Sequence, residues 1–316
     1  MSLDDKQALL LQPFIPKTIL CSKNNGKSYV LDVYENESYF TLGYVVDSHN
    51  QTGRIVGKRT FVLVLPNSVR KTVNTFEVLG LLQAEMGKKQ DGKVTFCNHE
   101  VPIINKVIRW FNDELIFPPR RWKWYIKLYI KEPTDSAYKK ELEQKVISYW
   151  VAQTGLLFEQ SYPKSVCYSP PSPHTKLKDA DFGTLTIERR SNLFSQIVKC
   201  LVRGITENIL SYTDEEIRGF MRGIIAGEGC IEIGRKFKNY RVQISAIKEG
   251  ERRIYLRALK KLGIDSHNYA CSNAVMVSKR QNHVELFKQG LLTLSPEKYQ
   301  QFLTLLRQYP QLPLAL

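Results

Sequence analysis

Two stretches of this chain, NTFEVLGLLQAEMGKK and TDEEIRGFMRGIIAGEGC, share one layout. Each is a hydrophobic run with two small residues four apart, Gly80 and Ala84 in the first, Gly223 and Gly227 in the second. A glutamate comes directly after in each, Glu85 and Glu228. Four-residue spacing puts both small residues on one face of a helix, and such a face lets another helix backbone come close. The layout therefore predicts two helices packed on each other, with the two carboxylates meeting at their C-terminal ends. Like charges at the negative ends of two helix dipoles repel unless a cation neutralises them, and a hard divalent ion with oxygen ligands does so. A single glutamate of this kind would ordinarily be a solvated residue at a helix end; the repetition raises it to a candidate site.

The segments beyond the two helices repeat as well. After the first helix come a strand GKVTFCN, a helix VPIINKVIRWFNDEL, a basic aromatic strand RRWKWYIKLYIKEP, a helix SAYKKELEQKVISYWVAQTG, a proline-rich loop, a strand FGTLTIERR and a helix NLFSQIVKCLVRGI. After the second come strands CIEIGR and YRVQISAI, a helix ERRIYLRALKKLGI, and NAVMVSKRQNHVELFKQGLL, which matches GTLTIERRSNLFSQIVKCLV in pattern. Arg190 then stands opposite Arg280, and Asn192 opposite Asn282. Glu85 lies roughly twice as far from Asn192 as Glu228 does from Asn282, and the excess falls on the Trp-rich strand and the helix after it. Ahead of the first copy, short β runs divided by Gly, Asn and Ser read as a β-rich segment. The expected fold is α+β, with a β-rich segment at 1–70, a first subdomain with an insertion at 71–211, and a second at 212–316.

The chain has 46 Lys and Arg against 31 Asp and Glu, a formal charge of +15. An excess of that size on a folded protein points to a polyanion, nucleic acid first and an anionic membrane surface second. The six cysteines show no zinc-ligand spacing, and the five histidines show none either. That usage, the absence of a long apolar run and a start lacking signal-peptide features predict a protein of an intracellular, reducing compartment.

The strand RRWKWYIKLYIK alternates strictly. Arg121, Lys123, Tyr125, Lys127, Tyr129 and Lys131 fall on one face, and Trp122, Trp124, Ile126, Leu128 and Ile130 on the other. A face of cations and tyrosines without an acid suits phosphates and base edges better than a merely solubilising edge. In the second copy Arg241, Gln243 and Ser245 alternate with Val242, Ile244 and Ala246, and Arg and Gln are the residue types that read guanine and adenine bidentately. Arg235 and Arg280 add to the basic surface expected to meet DNA.

GFMRGIIAGEGCIEI resembles the signature helix of the LAGLIDADG homing endonucleases, and EVLGLLQAEMGK resembles a more divergent copy with Met86 where the motif has Gly. The resemblance spans about residues 70 to 316. It implies a single-chain, pseudo-twofold protein, acting as a monomer, with saddle-shaped antiparallel sheets that hold double-stranded DNA and paired helices carrying one metal-binding acid each. The implied metal is Mg²⁺, with Mn²⁺ as a substitute, at Glu85 and Glu228 with Ala84 and Gly227 beside them. Lys248 and Arg252 fall where the family organises water around the scissile phosphate, and Lys298 resembles its active-site basic residue. Hydrolysis of each strand to leave short 3′ overhangs would result. No nucleotide cofactor is expected, since GEG lacks the lysine and serine of a phosphate loop. Two alternatives stay open: a protein that keeps the scaffold to bind DNA or intron RNA without cutting, and a nucleic-acid or membrane adaptor in which the acids are incidental.

Overall fold

The computed structural model describes residues 8–21, 27–49, 52, 54–87, 92–117, 122–156, 165–170, 182–234 and 240–309. Seven strands come first: β1 (Ala8–Leu10), β2 (Thr18–Cys21), β3 (Lys27–Val30), β4 (Asp32–Glu35), β5 (Tyr39–His49), β6 (Ile55–Pro66) and β7 (Ser68–Arg70). Next are α1 (Val73–Glu85), β8 (Lys93–Asn98), α2 (Val101–Glu114), β9 (Lys123–Leu128), α3 (Ser136–Thr154), β10 (Val166–Tyr168), β11 (Thr184–Arg190) and α4 (Asn192–Asn208). The remainder is α5 (Asp214–Glu228), β12 (Gly229–Ile233), β13 (Tyr240–Ser245), α6 (Glu249–Lys261), β14 (His267–Tyr269), β15 (Ala274–Val277), α7 (Arg280–Lys288) and α8 (Pro296–Leu306). The fold is α+β with mainly antiparallel sheets, as the sequence leads one to expect. No helix among the described residues is long and apolar enough to cross a membrane.

Two compact units divide the chain, one of Met1–Arg70 with Met86–Leu201 and one of Lys71–Glu85 with Val202–Leu316. The first holds a three-stranded antiparallel sheet β4-β5-β6, the pairs β2-β3 and β1-β7, and a four-stranded sheet β10-β9-β11-β8. In the last, β8 and β9 both run antiparallel to β11, so they are parallel to each other and α2 is the crossover between them. Alternation explains which face goes inside: Trp122, Trp124, Ile126 and Leu128 are buried, as are Val94 and Phe96 on β8. Phe111 of α2 packs 4.8 Å from Trp122, and Phe194 of α4 stacks 4.4 Å from Phe117. Each such aromatic contributes about 2 to 3 kcal/mol by burial, so this face anchors the unit.

Two readings of the sequence need correction. The alternation stops at Leu128: Ile130 is 41% exposed, because the chain leaves the sheet ahead of Pro133 and Asp135, whose side chain caps α3 by accepting from Ala137 N and Tyr138 N. The Trp-rich strand is no part of the insertion either. By topology β9 answers to β14, and the extra chain runs from Tyr129 to Gly183 where the second copy needs only Ala270 to Asn273. That insertion is α3 with β10, which adds a short parallel strand at the edge of β9.

The second unit holds α1 and α5 together with the antiparallel sheet β12-β13-β15-β14 and its crossover α6. Thr213 starts α5 with a reciprocal cap: its side chain accepts from Glu216 N, and Glu216 accepts from Thr213 N at 2.8 Å. Asp214, Glu215 and Glu216 favour the same positive helix end, where Lys71 also reaches Glu216 at 3.2 Å. At the other end α5 passes straight into β12, paired with β13 from Gly229↔Ile244 to Ile233↔Tyr240. After α1, by contrast, no such strand occurs among the described residues; Gly87 N donates to Thr95 O on β8 at 3.4 Å.

Candidate active site

The contact between α1 and α5 is made by backbone. A Cβ placed on Gly80 would run into Phe220 O, and one on Gly223 would run into Glu77 O and lie 2.6 Å from Leu81 N. Gly219 is nearly as tight, with Val73 O at 2.9 Å from such a Cβ. Only glycine fits these crossings, so the small-residue spacing does what helix geometry asks of it. Bordering the seam, Glu77 and Arg222 form an ion pair at 3.2 Å, and Arg222 also donates to Gly290 O and Gln289 O.

At the C-terminal end the last small residues meet. A Cβ on Gly227 would lie 2.5 Å from Ala84 Cβ, 3.2 Å from Glu85 Cγ and 3.5 Å from Glu85 Oε1. The Glu85 carboxylate therefore lies over the backbone of the residue preceding Glu228, in space that a side chain at 227 would take. Both glutamates are half-buried. Glu85 and Glu228, at adjoining helix ends, are the acids here that could hold a hard divalent cation.

Gly227 fits that role less simply. Its only ligand atom is its carbonyl oxygen, and that oxygen accepts from Lys298 Nζ at 2.8 Å. The same ammonium donates to Ile225 O at 3.2 Å and to Ala226 O. An ammonium has three N–H bonds, and three carbonyls at the negative end of α5 are enough to use them. Lys298 sits in the first turn of α8, where its N–H donates to the N-cap Ser295 Oγ at 3.2 Å.

Arg252 and Lys248 part company. Arg252 is 7% exposed and spends Nη1 on Ala246 O at 2.6 Å, Ile247 O at 2.8 Å and Asn273 Oδ1 at 3.3 Å, which ties the end of β13 to α6. Lys248 is the N-cap residue of α6, largely exposed, with Nζ 3.8 Å from Glu251. Beside them stands a polar group that the motif alone does not single out. Gln83, two residues before Glu85, donates to Glu251 Oε1 at 3.3 Å and accepts from Thr206 Oγ1 at 3.3 Å. Burial, followed by the Glu251 charge and less by that of Glu228, pushes the Tyr255 phenol up, partly offset by its hydrogen bond with Gln83. The one signal in the sequence is Gln83 itself, a polar residue inside an otherwise apolar run.

On the sheet of the first unit, Lys123 is exposed, while Tyr125, Lys127 and Tyr129 are half-buried. Lys127 Nζ lies 4.8 Å from the Tyr129 ring centre. Lys131 is exposed beyond the end of β9, and Arg121 lies outside the described residues. The same face holds an acid that the strand alone could not reveal: Glu188, 1% exposed and paired in register with Lys123, accepts from Lys93 at 2.9 Å and from Arg190 at 2.6 Å. In the second unit Arg241 forms an ion pair with Glu232, its neighbour across β12 and β13, which holds its guanidinium above the ordinary value. Gln243 stands between Cys230 and Met276, and Ser245 beside Ala274. Arg280 begins α7 with its guanidinium 5.8 Å from the Tyr309 ring centre, and Arg235 lies outside the described residues.

Residues 215–304 match the family model of the LAGLIDADG-like domain. A search of curated proteins finds no match. Among solved structures the chain is similar to the N-terminal LAGLIDADG domain of DUF199/WhiA, at 9% identity over 73% of this chain and 86% of that one, with a TM-score of 0.39. It is similar also to I-DmoI in complex with DNA and Ca, at 12% identity over 72% and 96%, TM-score 0.34. Mesophilic variants from the homing endonuclease I-DmoI give 13% identity over 71% and 92%, TM-score 0.36.

Proposed function

We propose, from the premise that this chain carries a LAGLIDADG-like domain over residues 215–304, that it is a sequence-specific endonuclease which hydrolyses double-stranded DNA with a divalent metal. The observation that carries this reading is the meeting of two acid-ended helices within one compact unit, with Glu85 Oε1 lying over Gly227. Glu85 and Glu228 would hold the cation, Mg²⁺ or in its place Mn²⁺. Such an ion polarises a phosphoryl oxygen and makes water a better nucleophile. Since both acids come from one chain, a monomer suffices.

The remaining residues bind and orient. Lys123 and Lys127 would contact phosphates, with Tyr125 between them on the same face. Gln243 and Ser245 present polar groups from β13, and Arg241 joins them on leaving Glu232 for a base edge. Arg252 acts as a positioning residue through the β13–α6 junction rather than on the phosphate.

A second reading, DNA binding without cleavage, draws on one observation: Lys298 engages the carbonyl of Gly227. The experiment is incubation with a randomised duplex library in Mg²⁺ and sequencing of the new ends, repeated with Glu85→Gln and Glu228→Gln. Wild type should give ends at one recognisable sequence. Each variant should lose double-strand cleavage while retaining binding. Tight binding by wild type with no cutting in Mg²⁺ or Mn²⁺ would establish the second reading instead.

A further inference from the structure

We propose that Lys298 is an internal cation competing with the divalent metal for the end of α5, so that metal binding beside Glu228 requires the ammonium to let go of Gly227. This rests on Glu85 and Glu228 being metal ligands. Lys298 is half-buried, and its ammonium grips three successive C-terminal carbonyls, of Ile225, Ala226 and Gly227. Its stem starts from a fixed point, because Ser295 caps α8 through Lys298 N. A divalent ion held by Glu85 and Glu228 would lie close to that charge, since Glu85 Oε1 lies over Gly227 and Glu228 follows it, while the ammonium holds the Gly227 carbonyl. Two cations so close repel strongly in a partly buried corner, and they want the same oxygen. The metal-free chain thus carries its own counterion, which stabilises a helix end where two acids gather at the negative pole of the dipole. The cost is a weaker metal site until the ammonium swings away, and the half-buried stem gives it solvent to swing into.

A cap that merely holds α5 together predicts the reverse, since removing it would loosen the site and weaken metal binding. The test is Mn²⁺ binding to the full chain, monitored by electron paramagnetic resonance, for wild type, Lys298→Met, Glu85→Gln and Glu228→Gln. Lys298→Met keeps the stem and removes the charge, and it should bind Mn²⁺ on the order of tenfold more tightly, the effect of one close charge. Equal or weaker binding by a folded Lys298→Met, with wild-type binding lost in Glu228→Gln, overturns the competition and leaves the metal reading standing. No Mn²⁺ binding by any form overturns both. Should Lys298→Met fail to fold, wild type still decides: labelling of Lys298 by an amine-reactive reagent, read by peptide mass spectrometry, should speed up when Mn²⁺ saturates the protein. An unchanged labelling rate at saturation overturns the competition.

Discussion

The two copies of the repeat build one crossover from different chemistry. In one, α2 links β8 and β9 on either side of β11; in the other, α6 links β13 and β14 on either side of β15. They diverge at the end of the motif helix. Glu228 leads at once through Gly229 into β12, whereas Glu85 is succeeded by a buried Met86 and then by Gly87, which bonds to β8 without a described strand of its own. The polar faces diverge too. One sheet buries Glu188 between Lys93 and Arg190, and the other keeps Glu232 and Arg241 half-exposed as a pair. The helices stay alike because a backbone-to-backbone crossing needs glycine on both sides, while the sheets tolerate any sequence that keeps an apolar face inside.

The largest effect should show how symmetric that crossing is. Gly80→Ala and Gly223→Ala each push a methyl group into the carbonyl of the opposite helix, which cannot rotate away as a side chain can. Each should cost about 3 kcal/mol, measured by denaturant unfolding. Gly250, in the first turn of α6, has nothing within 4 Å of an added Cβ, and Gly250→Ala should leave stability unchanged or raise it by about 0.5 kcal/mol. A small loss at Gly223 with a large one at Gly80 would mean that the copies are not equivalent even at their helices.

That contrast marks what the sequence discloses. Gly80 and Gly223 are legible because small residues four apart in an apolar run have few other uses, and the Trp122–Leu128 alternation is legible because burial has period two. For Lys298 the family resemblance points to the site, but its grip on the end of α5 is not legible. It depends on α8 lying against the end of α5, a contact across more than seventy positions that no local pattern encodes. Glu188 is hidden for the same reason: within TLTIERR it reads as an outward acid, and only the pairing of β11 with β8 brings Lys93 onto it. The end of β9 is hidden because Ile130 continues the alternation, while the chain has already turned toward the cap at Asp135.

The middle effect separates the two sheets. Glu188→Gln removes a buried charge and leaves Lys93 and Arg190 facing a neutral group, so it should cost about 2 kcal/mol. Glu232→Gln touches a pair in which both side chains meet solvent, and it should change stability by less than about 1 kcal/mol. It should also free Arg241 and tighten binding of duplex DNA in a fluorescence-anisotropy titration. Equal losses in the two variants would show that the polar faces are alike in kind after all.

The smallest effect concerns a position where one copy has an apolar residue and the other a titratable one. Leu193 comes after Asn192 in α4, and His283 after the matching Asn282 in α7; both are buried. His283 Nε2 donates to Val277 O at 3.0 Å, which leaves Nδ1 to accept from Tyr309 at 2.7 Å, and Arg280 lies over the same tyrosine ring. Burial depresses the histidine below its ordinary value of 6.5, with the Val277 carbonyl opposing in part. The unfolded chain then binds a proton before the folded chain does, so stability holds above 6.5 and falls as the pH drops toward the folded value. His283→Leu, which installs the residue of the first copy, should lower stability near neutral pH by about 1 kcal/mol through the orphaned Val277 carbonyl and Tyr309 hydroxyl. It should also flatten the loss between about pH 7 and pH 5 in denaturant titrations. If the slope against pH survives unchanged in His283→Leu, the acid sensitivity lies elsewhere in the chain, and this difference between the copies carries no energetic weight.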